Sequence, residues 1–353
     1  MRWDPALGVG LLAASSLASV ASCGVGSGYS VWWEQDKGAT APPPGHEATE
    51  GGAKVEAGAD ARPVEGGHPE SGPAPVPIHT VFFVLMSKKP WSAIEGSTSA
   101  PYINGKLLPA GAHCTNYFAA PVMIEQSEPN ELWLEAGQDF GFTVNQTPTQ
   151  GSTASTAHLV DELEAASIPW KAYVDGITAG TCPIANAYPY ETYHVPFLYF
   201  DDVSGKPPSP LAKRCIQHVV PMTELAKDLA ADTVPRYAFV VPDLCNDMHD
   251  DCNTGDPVNQ GDTWLASTVP GILSSKTYAA GGALFVAWDF DPAGYNPVGL
   301  IVLGANAKPG FAGGAKATHS ATLRTLQEIF DVTPLLGDAA NATDMAGMFT
   351  SFP

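Results

Sequence analysis

The octapeptide His79-Thr80-Val81-Phe82-Phe83-Val84-Leu85-Met86 sets the reading of the whole chain. A strand with one wet face alternates apolar and polar residues. This run is apolar from its third position on, as expected of a strand buried on both faces of a parallel sheet. Such a sheet needs helices on each side, and the sequence supplies them. Residues 112–118, 170–174, 237–242, 283–288 and 298–304 read as further strands. Residues 156–166, 222–230, 261–275 and 321–330 read as helices between them. The alternation predicts an α/β fold, a three-layer α/β/α sandwich around a mostly parallel sheet.

In sheets of this kind, functional groups collect just past the carboxyl ends of the strands. Those positions hold Ser87 and Lys88, Asp243 with the acidic loop running to His249, and Asp289. A second polar element is residues 124–137, Ile-Glu-Gln-Ser-Glu-Pro-Asn-Glu-Leu-Trp-Leu-Glu-Ala-Gly. Glu128 and Pro129 suit the first turn of a helix, and Gly137 suits the position after its end, which puts the N-cap at Ser127. Free backbone N–H groups at a helix N-terminus attract phosphate. Ser127 is therefore either a cap or a nucleophile aimed at phosphorus. Carboxylates and histidines beside such a serine suit metal-assisted phosphoryl transfer. The competing reading makes Asp243 and Asp289 turn formers and His249 an ordinary loop histidine.

The chain has 353 residues, enough for one large domain with appendages, and its net charge of −20 argues against nucleic acid as a partner. Residues 1–23 read as a signal peptide. An apolar stretch too short to span a membrane ends in Val20-Ala21-Ser22-Cys23, the pattern of a lipobox with Cys23 as the lipidated residue. Residues 24–77, rich in Pro, Gly, Ala and Glu, read as a disordered tether, leaving 78–353 as the folded domain. The expected location is the bacterial cell envelope, with the protein exported and held to a membrane by its lipid. Gly24 after Cys23, rather than Asp, favours the outer membrane or cell surface.

Export permits disulfides. Five cysteines follow Cys23. Nearness in sequence pairs Cys182 with Cys215 and Cys245 with Cys252, and leaves Cys114 as a free thiol. His249 between Cys245 and Cys252 raises a zinc site as the alternative, but the spacing matches no common zinc module.

Several blocks in order then carry a family resemblance. They are Ala100-Pro101-Tyr102-Ile103-Asn104, Thr115-Asn116-Tyr117, Ser127-Glu128-Pro129-Asn130 with Trp133-Leu134-Glu135-Ala136-Gly137, and Pro196 through Asp202. Further on come Asn246-Asp247-Met248-His249-Asp250, Gly261-Asp262-Thr263-Trp264-Leu265, Trp288-Asp289, and Thr318-His319-Ser320 running to Thr325. From His79 onward the chain resembles the bacterial phosphoesterases that include acid phosphatases and phosphatidylcholine-type phospholipases C. The resemblance implies the alkaline-phosphatase-like fold and hydrolysis of phosphate esters through a phosphoserine on Ser127. His194 and His249 then fall in catalytic positions and Asn130 in a substrate-binding one; His319 and Lys88, read from their places around the same site, are further substrate-binding candidates.

The family's metal site is altered here. Its Glu-Asn pair after the first strand is Ser87-Lys88, and its Asp-Glu pair after a late strand is Asp289-Phe290. Asp289, with Asp291 two residues on, remains to hold one divalent ion, weakly. Alternatively Lys88 replaces the ion as a point charge. Two functions follow. One is an envelope hydrolase of small phosphate esters or phospholipid head groups. The other is a catalytically impaired relative that binds a phosphorylated or surface ligand without turnover.

Overall fold

The structure is a computed structural model, and it describes residues 76–353. The signal segment, Cys23 and nearly all of the tether lie outside the described residues. Among the described residues, no helix is long and apolar enough to cross a membrane.

One eight-stranded sheet carries the domain. Its strands are β1 (Thr80–Met86), β2 (Ala112–Tyr117), β3 (Trp170–Val174), β4 (Val219–Pro221), β5 (Tyr237–Val241), β6 (Gly282–Trp288), β7 (Val298–Gly304) and β8 (Phe311–Gly313). They lie in the order β4-β3-β5-β1-β6-β7-β2-β8. All run the same way except β7, which is antiparallel to β6 and β2. The alternation of runs did not reveal that reversal, nor the two short edge strands β4 and β8.

β1 lies at the centre, and each of its residues is buried. Phe83 stacks on Phe239 of β5 at 5.4 Å and on Phe285 of β6 at 6.1 Å, a ladder across three strands. Each such ring contributes about 2–3 kcal/mol by leaving water. Helices α1 (Ser127–Ala136), α2 (Leu159–Ala165) and α5 (His319–Phe330) pack together as one layer. Helices α3 (Thr223–Ala231) and α4 (Pro257–Leu273) pack together as another. This is the expected three-layer α/β/α sandwich.

Two features fix the carboxyl ends of the central strands. Met86 pairs with Trp288, so β1 and β6 finish level and bring Ser87 beside Asp289. The β5 loop is tied to β1 by the Ser87 N–H donating to the Asp247 carbonyl at 2.8 Å. Disulfides Cys182–Cys215 and Cys245–Cys252 form as paired from sequence. The expectation of a free Cys114 is overturned: it is disulfide-bonded too. Nearness in sequence was the only guide to pairing, and it carries no information on contacts that the fold makes at long range.

Candidate active site

α1 begins differently from its sequence reading. Gln126 is extended (φ −141°, ψ 143°) and takes the N-cap position, while Ser127 is already the first helical residue. Ser127 therefore does not cap. The helix start is instead held by Asn145, whose Oδ1 accepts from the Glu128 N–H at 3.0 Å. The Ser127 side chain is fully buried, and its Oγ completes no hydrogen bond of ordinary geometry. It still lies near enough to Asp289 to help hold that carboxyl down. The hydroxyl faces the carboxylate without being locked to it.

Asp289, directly after β6, is the hub. Its Oδ2 accepts from Ser87 Oγ at 3.0 Å, and its Oδ1 accepts from the N–H groups of Lys88 at 3.0 Å and Phe290 at 2.7 Å. Burial nevertheless pushes it up to about 7. The first of those donors costs some strain, because Lys88 sits in the left-handed region at φ 54°. His319 supports the hub from behind. Burial lowers it to about 4, so the ring is neutral. Its Nε2–H donates to the Asp289 carbonyl at 2.9 Å, and its Nδ1 accepts from the Tyr117 hydroxyl at 2.7 Å. His319 thus positions Asp289, with both ring nitrogens spent on protein. As a substrate-binding group it has no atom to offer.

Two residues that the sequence reading passed over complete the interior. Glu131 stands one helical turn after Ser127 on the same face. Its Oε1 is 2.9 Å from His194 Nδ1, and the same nitrogen is 3.7 Å from Asp289 Oδ2. Asp247 Oδ2 faces the other ring nitrogen, Nε2, at 3.6 Å. All of these groups are buried. Desolvation pushes Glu131 and Asp247 well above the usual carboxylate range and holds His194 well below the usual imidazole range. Glu131, His194 and Asp289 each offer a ligand atom, all within 4.8 Å of one another. The four-residue step from Ser127 to Glu131 was visible in the sequence. Asp247 stood inside the block Asn246–Asp250 that carried the resemblance, but neither it nor Glu131 was given a role.

The rim is formed by Lys88, Lys89, Tyr193 and His249. The His249 ring lies T-shaped to His194, centroids 5.8 Å apart, with its Nδ1 2.7 Å from Asp250 Oδ1. Lys88 is close enough to lower both His194 and His249. The structure thus brings together Ser127, His194, His249, Lys88 and Asp289. It does not bring in Asn130 as a ligand. The Asn130 amide donates to the Ile124 and Gln126 carbonyls at 3.0 and 2.8 Å, and its oxygen accepts from Ala120 N–H at 3.1 Å. It ties down the loop before α1. Asp243 accepts from Cys245 and Asn246 N–H and forms its own turn.

The positions that the resemblance gives to a metal do not fit one. The Ser87 hydroxyl is spent on Asp289, Lys88 is a cation, and Phe290 has no donor atom. Asp291 does not join Asp289. Its Oδ2 accepts from Ala293 N, Asn296 N and Asn296 Nδ2 at 3.2, 3.1 and 2.9 Å, because the strand ends at Trp288 and the chain turns there.

The family model described as "Phosphoesterase family" matches residues 98–333. The phosphatidylinositol-3-phosphatase of Mycobacterium tuberculosis is 31% identical over 272 residues, covering 76% of this chain and 82% of that protein. An acid phosphatase of Aspergillus fumigatus is 25% identical over 191 residues, 51% of this chain, which spans only 38% of that protein's length. Among solved structures, human ectonucleotide pyrophosphatase/phosphodiesterase 5 superposes with a TM-score of 0.52 at 10% identity, over 77% of this chain and 100% of that one. That likeness shows the fold alone. Together with the family match over most of the described residues, the chain belongs to the phosphoesterase family.

Proposed function

We propose that the protein hydrolyses phosphate monoesters with Ser127 as the nucleophile. The observation that carries this is the Ser127 hydroxyl itself: buried, at the first turn of α1, and with Asp289 as the carboxylate it faces. The contact with Asp289 is what sets Ser127 apart from Ser320, another buried serine without an ordinary hydrogen bond.

In this reading the Ser127 Oγ–P bond forms as the ester P–O bond breaks. The serine proton passes to the Asp289 carboxylate that it faces. His249, on the rim and in its protonated form, gives a proton to the departing alkoxide and then takes one from the attacking water, while Asp289 returns its proton to the Ser127 oxygen. Water then cleaves the phosphoserine, releasing phosphate and restoring Ser127. Backbone N–H groups of the first turn of α1 and the ammonium of Lys88 stabilise the charge on the transferring group. Because Ser127 is fully covered, the rim must open before a substrate enters. The Mycobacterium tuberculosis relative makes a phosphorylated polyol head group one substrate to try. The disulfides support an exported protein, since such bonds persist in oxidising compartments.

The second reading, a phosphate binder without turnover, is favoured by the loss of metal-binding side chains at Ser87, Lys88 and Phe290. Phosphate release from a chromogenic aryl phosphate decides between them. Release by wild type that disappears in Ser127→Ala supports the enzyme. Release that survives Ser127→Ala overturns Ser127 as nucleophile. No release from aryl phosphate or phosphoinositide, with inorganic phosphate still bound, supports the binder.

A further inference from the structure

We propose that the protein carries a second binding site, a pocket along α4 that takes the ring of a neutral polyol, a sugar or an inositol. The pocket shares the loop between β5 and α4 with the catalytic end. Asn246 of that loop lines the pocket, and His249, three residues on, stands at the catalytic rim against His194.

The first argument is the helix. Val258, Asp262, Leu265, Val269 and Ile272 are buried along one side of α4. Asp262 serves the fold there, accepting from the Tyr102 and Ile103 N–H groups at 2.9 and 2.8 Å. Gln260, Thr263, Trp264 and Ser267, three and four residues apart, fall on the opposite side. A helix face turned from the core ordinarily carries charge. This one carries an amide, two hydroxyls and a half-buried indole.

The second argument is the pocket and its chemistry. Those four side chains, with Asn246 and the N-cap residue Asp256, line a cavity of about 410 Å³, a size usual for a small-molecule site. No lysine, arginine or histidine lines it, so a phosphate meets no counter-charge there. Asp256 is its single carboxylate. Its Oδ1 accepts from the Asn259 N–H at 3.0 Å and its Oδ2 from the Ser99 hydroxyl at 2.6 Å, which is a poor set for a cation. The ligand is therefore neutral. Among the described residues the Gln260 amide, the Thr263 hydroxyl and the Trp264 indole N–H form no hydrogen bond, and Gln260 Oε1 is covered without a partner. An amide donates and accepts, as a ligand hydroxyl does, and the broad terminal torsion of glutamine lets it turn to meet one. A sugar or inositol ring complements this set. Hydroxyls on its edge suit Gln260 and Thr263, and its C–H face suits the indole, a large apolar plate with one donor.

The test titrates the full chain with myo-inositol and with methyl β-glucoside, following saturation transfer from protein to ligand by NMR. Binding of at least one ring at millimolar affinity is expected. Trp264→Ala should weaken it by about 10-fold and Gln260→Ala by about fivefold. No transfer to either ring at about 0.1 M overturns the proposal. So does binding that both substitutions leave unchanged, and so does binding that inorganic phosphate displaces, which would put the ring at the catalytic end. Should circular dichroism show Trp264→Ala unfolded, Gln260→Ala and Thr263→Val decide in its place. myo-Inositol 1-phosphate separates the two sources of such a ring. An affinity about 10-fold above that of myo-inositol, with the gain lost in Trp264→Ala, supports the pocket as the seat of an ester's head group. Equal affinity supports it as the seat of a separate sugar. Turnover is not measured, so this proposal and the phosphoesterase reading fail separately.

Discussion

Of the three buried glutamates on helix α1, Glu131 and Glu135 lie one turn apart, and the two ends of that turn are built differently. Glu131 Oε1 is hydrogen-bonded at 2.9 Å to Nδ1 of a histidine that burial keeps neutral, and no lysine or arginine is ion-paired with that glutamate among the described residues. Glu135 meets His158, and there the charges are answered. His158 Nδ1 is 3.6 Å from Glu135 Oε1, and its Nε2 is 3.1 Å from Asp202 Oδ2. Arg214 pairs in turn with Asp202, Asp161 and Glu164. His158 also stacks on Phe200 at 4.0 Å. Although burial opposes the charge, Asp202 and Glu135 hold His158 up at about 9, so this imidazole is a cation at neutral pH. The partners do not agree in direction: Asp202 is lowered, while burial still raises Glu135. The proton therefore belongs on His158, with Asp202 as its firmer counter-ion. One turn of helix separates a histidine that its acidic neighbours keep charged from one that burial keeps neutral.

The sharpest way to break this comparison is Ser127→Ala. Phosphate release should fall by about 10³-fold or more, while the thermal midpoint stays level or rises, since an unpaired buried hydroxyl is removed. A large drop in melting temperature would mean that Ser127 is structural. Next in size is His158→Ala. It strips the only imidazolium from Glu135 and should cost about 3–5 kcal/mol in urea unfolding. A cost under about 1 kcal/mol would show that the completed network is not holding the helix.

A pH series tests the same network without mutation. The folded pKa of His158 is above its unfolded value of 6.5. Its contribution is therefore fully present below pH 6.5 and lost as pH rises through about 9. The loss is at most about 3 kcal/mol, at 1.36 kcal/mol per unit. The fall between pH 6.5 and 9 should be absent in His158→Ala. The smallest effect is expected where charges meet in water. Lys227 and Glu224 are 2.7 Å apart, but Lys227 is 67% exposed, so Lys227→Ala should change stability by less than about 0.5 kcal/mol. A larger change would mean that distance, more than burial, governs these pairs.

Much of the frame was legible because burial writes itself into composition. β1, β3, β5, β6 and β7 are apolar runs, and their sequence bounds hold to within a residue or so. Direction is not written there, so the reversal of β7 was hidden. The site was less legible. Motif positions pointed to Ser127, His194, His249 and Asp289, which the fold does gather. They also pointed to Asn130, whose amide is consumed by the loop at residues 120–126. Glu131 was passed over because a glutamate inside a helix ordinarily faces water, and nothing local says that this one is covered. Its four-residue step from Ser127 was the available clue.

The reversal of β7 has one more consequence. Because β7 comes straight back from β6, residues 289–297 need only a hairpin, where a parallel neighbour would demand a long crossover. That hairpin closes over the same end of the sheet as Ser127, with Tyr295 67% exposed at its tip. Asp291 staples its base through Ala293 and Asn296. For a protein engineer this is a grafting point. Segments spliced between residues 292 and 295 would reshape the approach to the catalytic end while the sheet behind keeps its order, its register and its core.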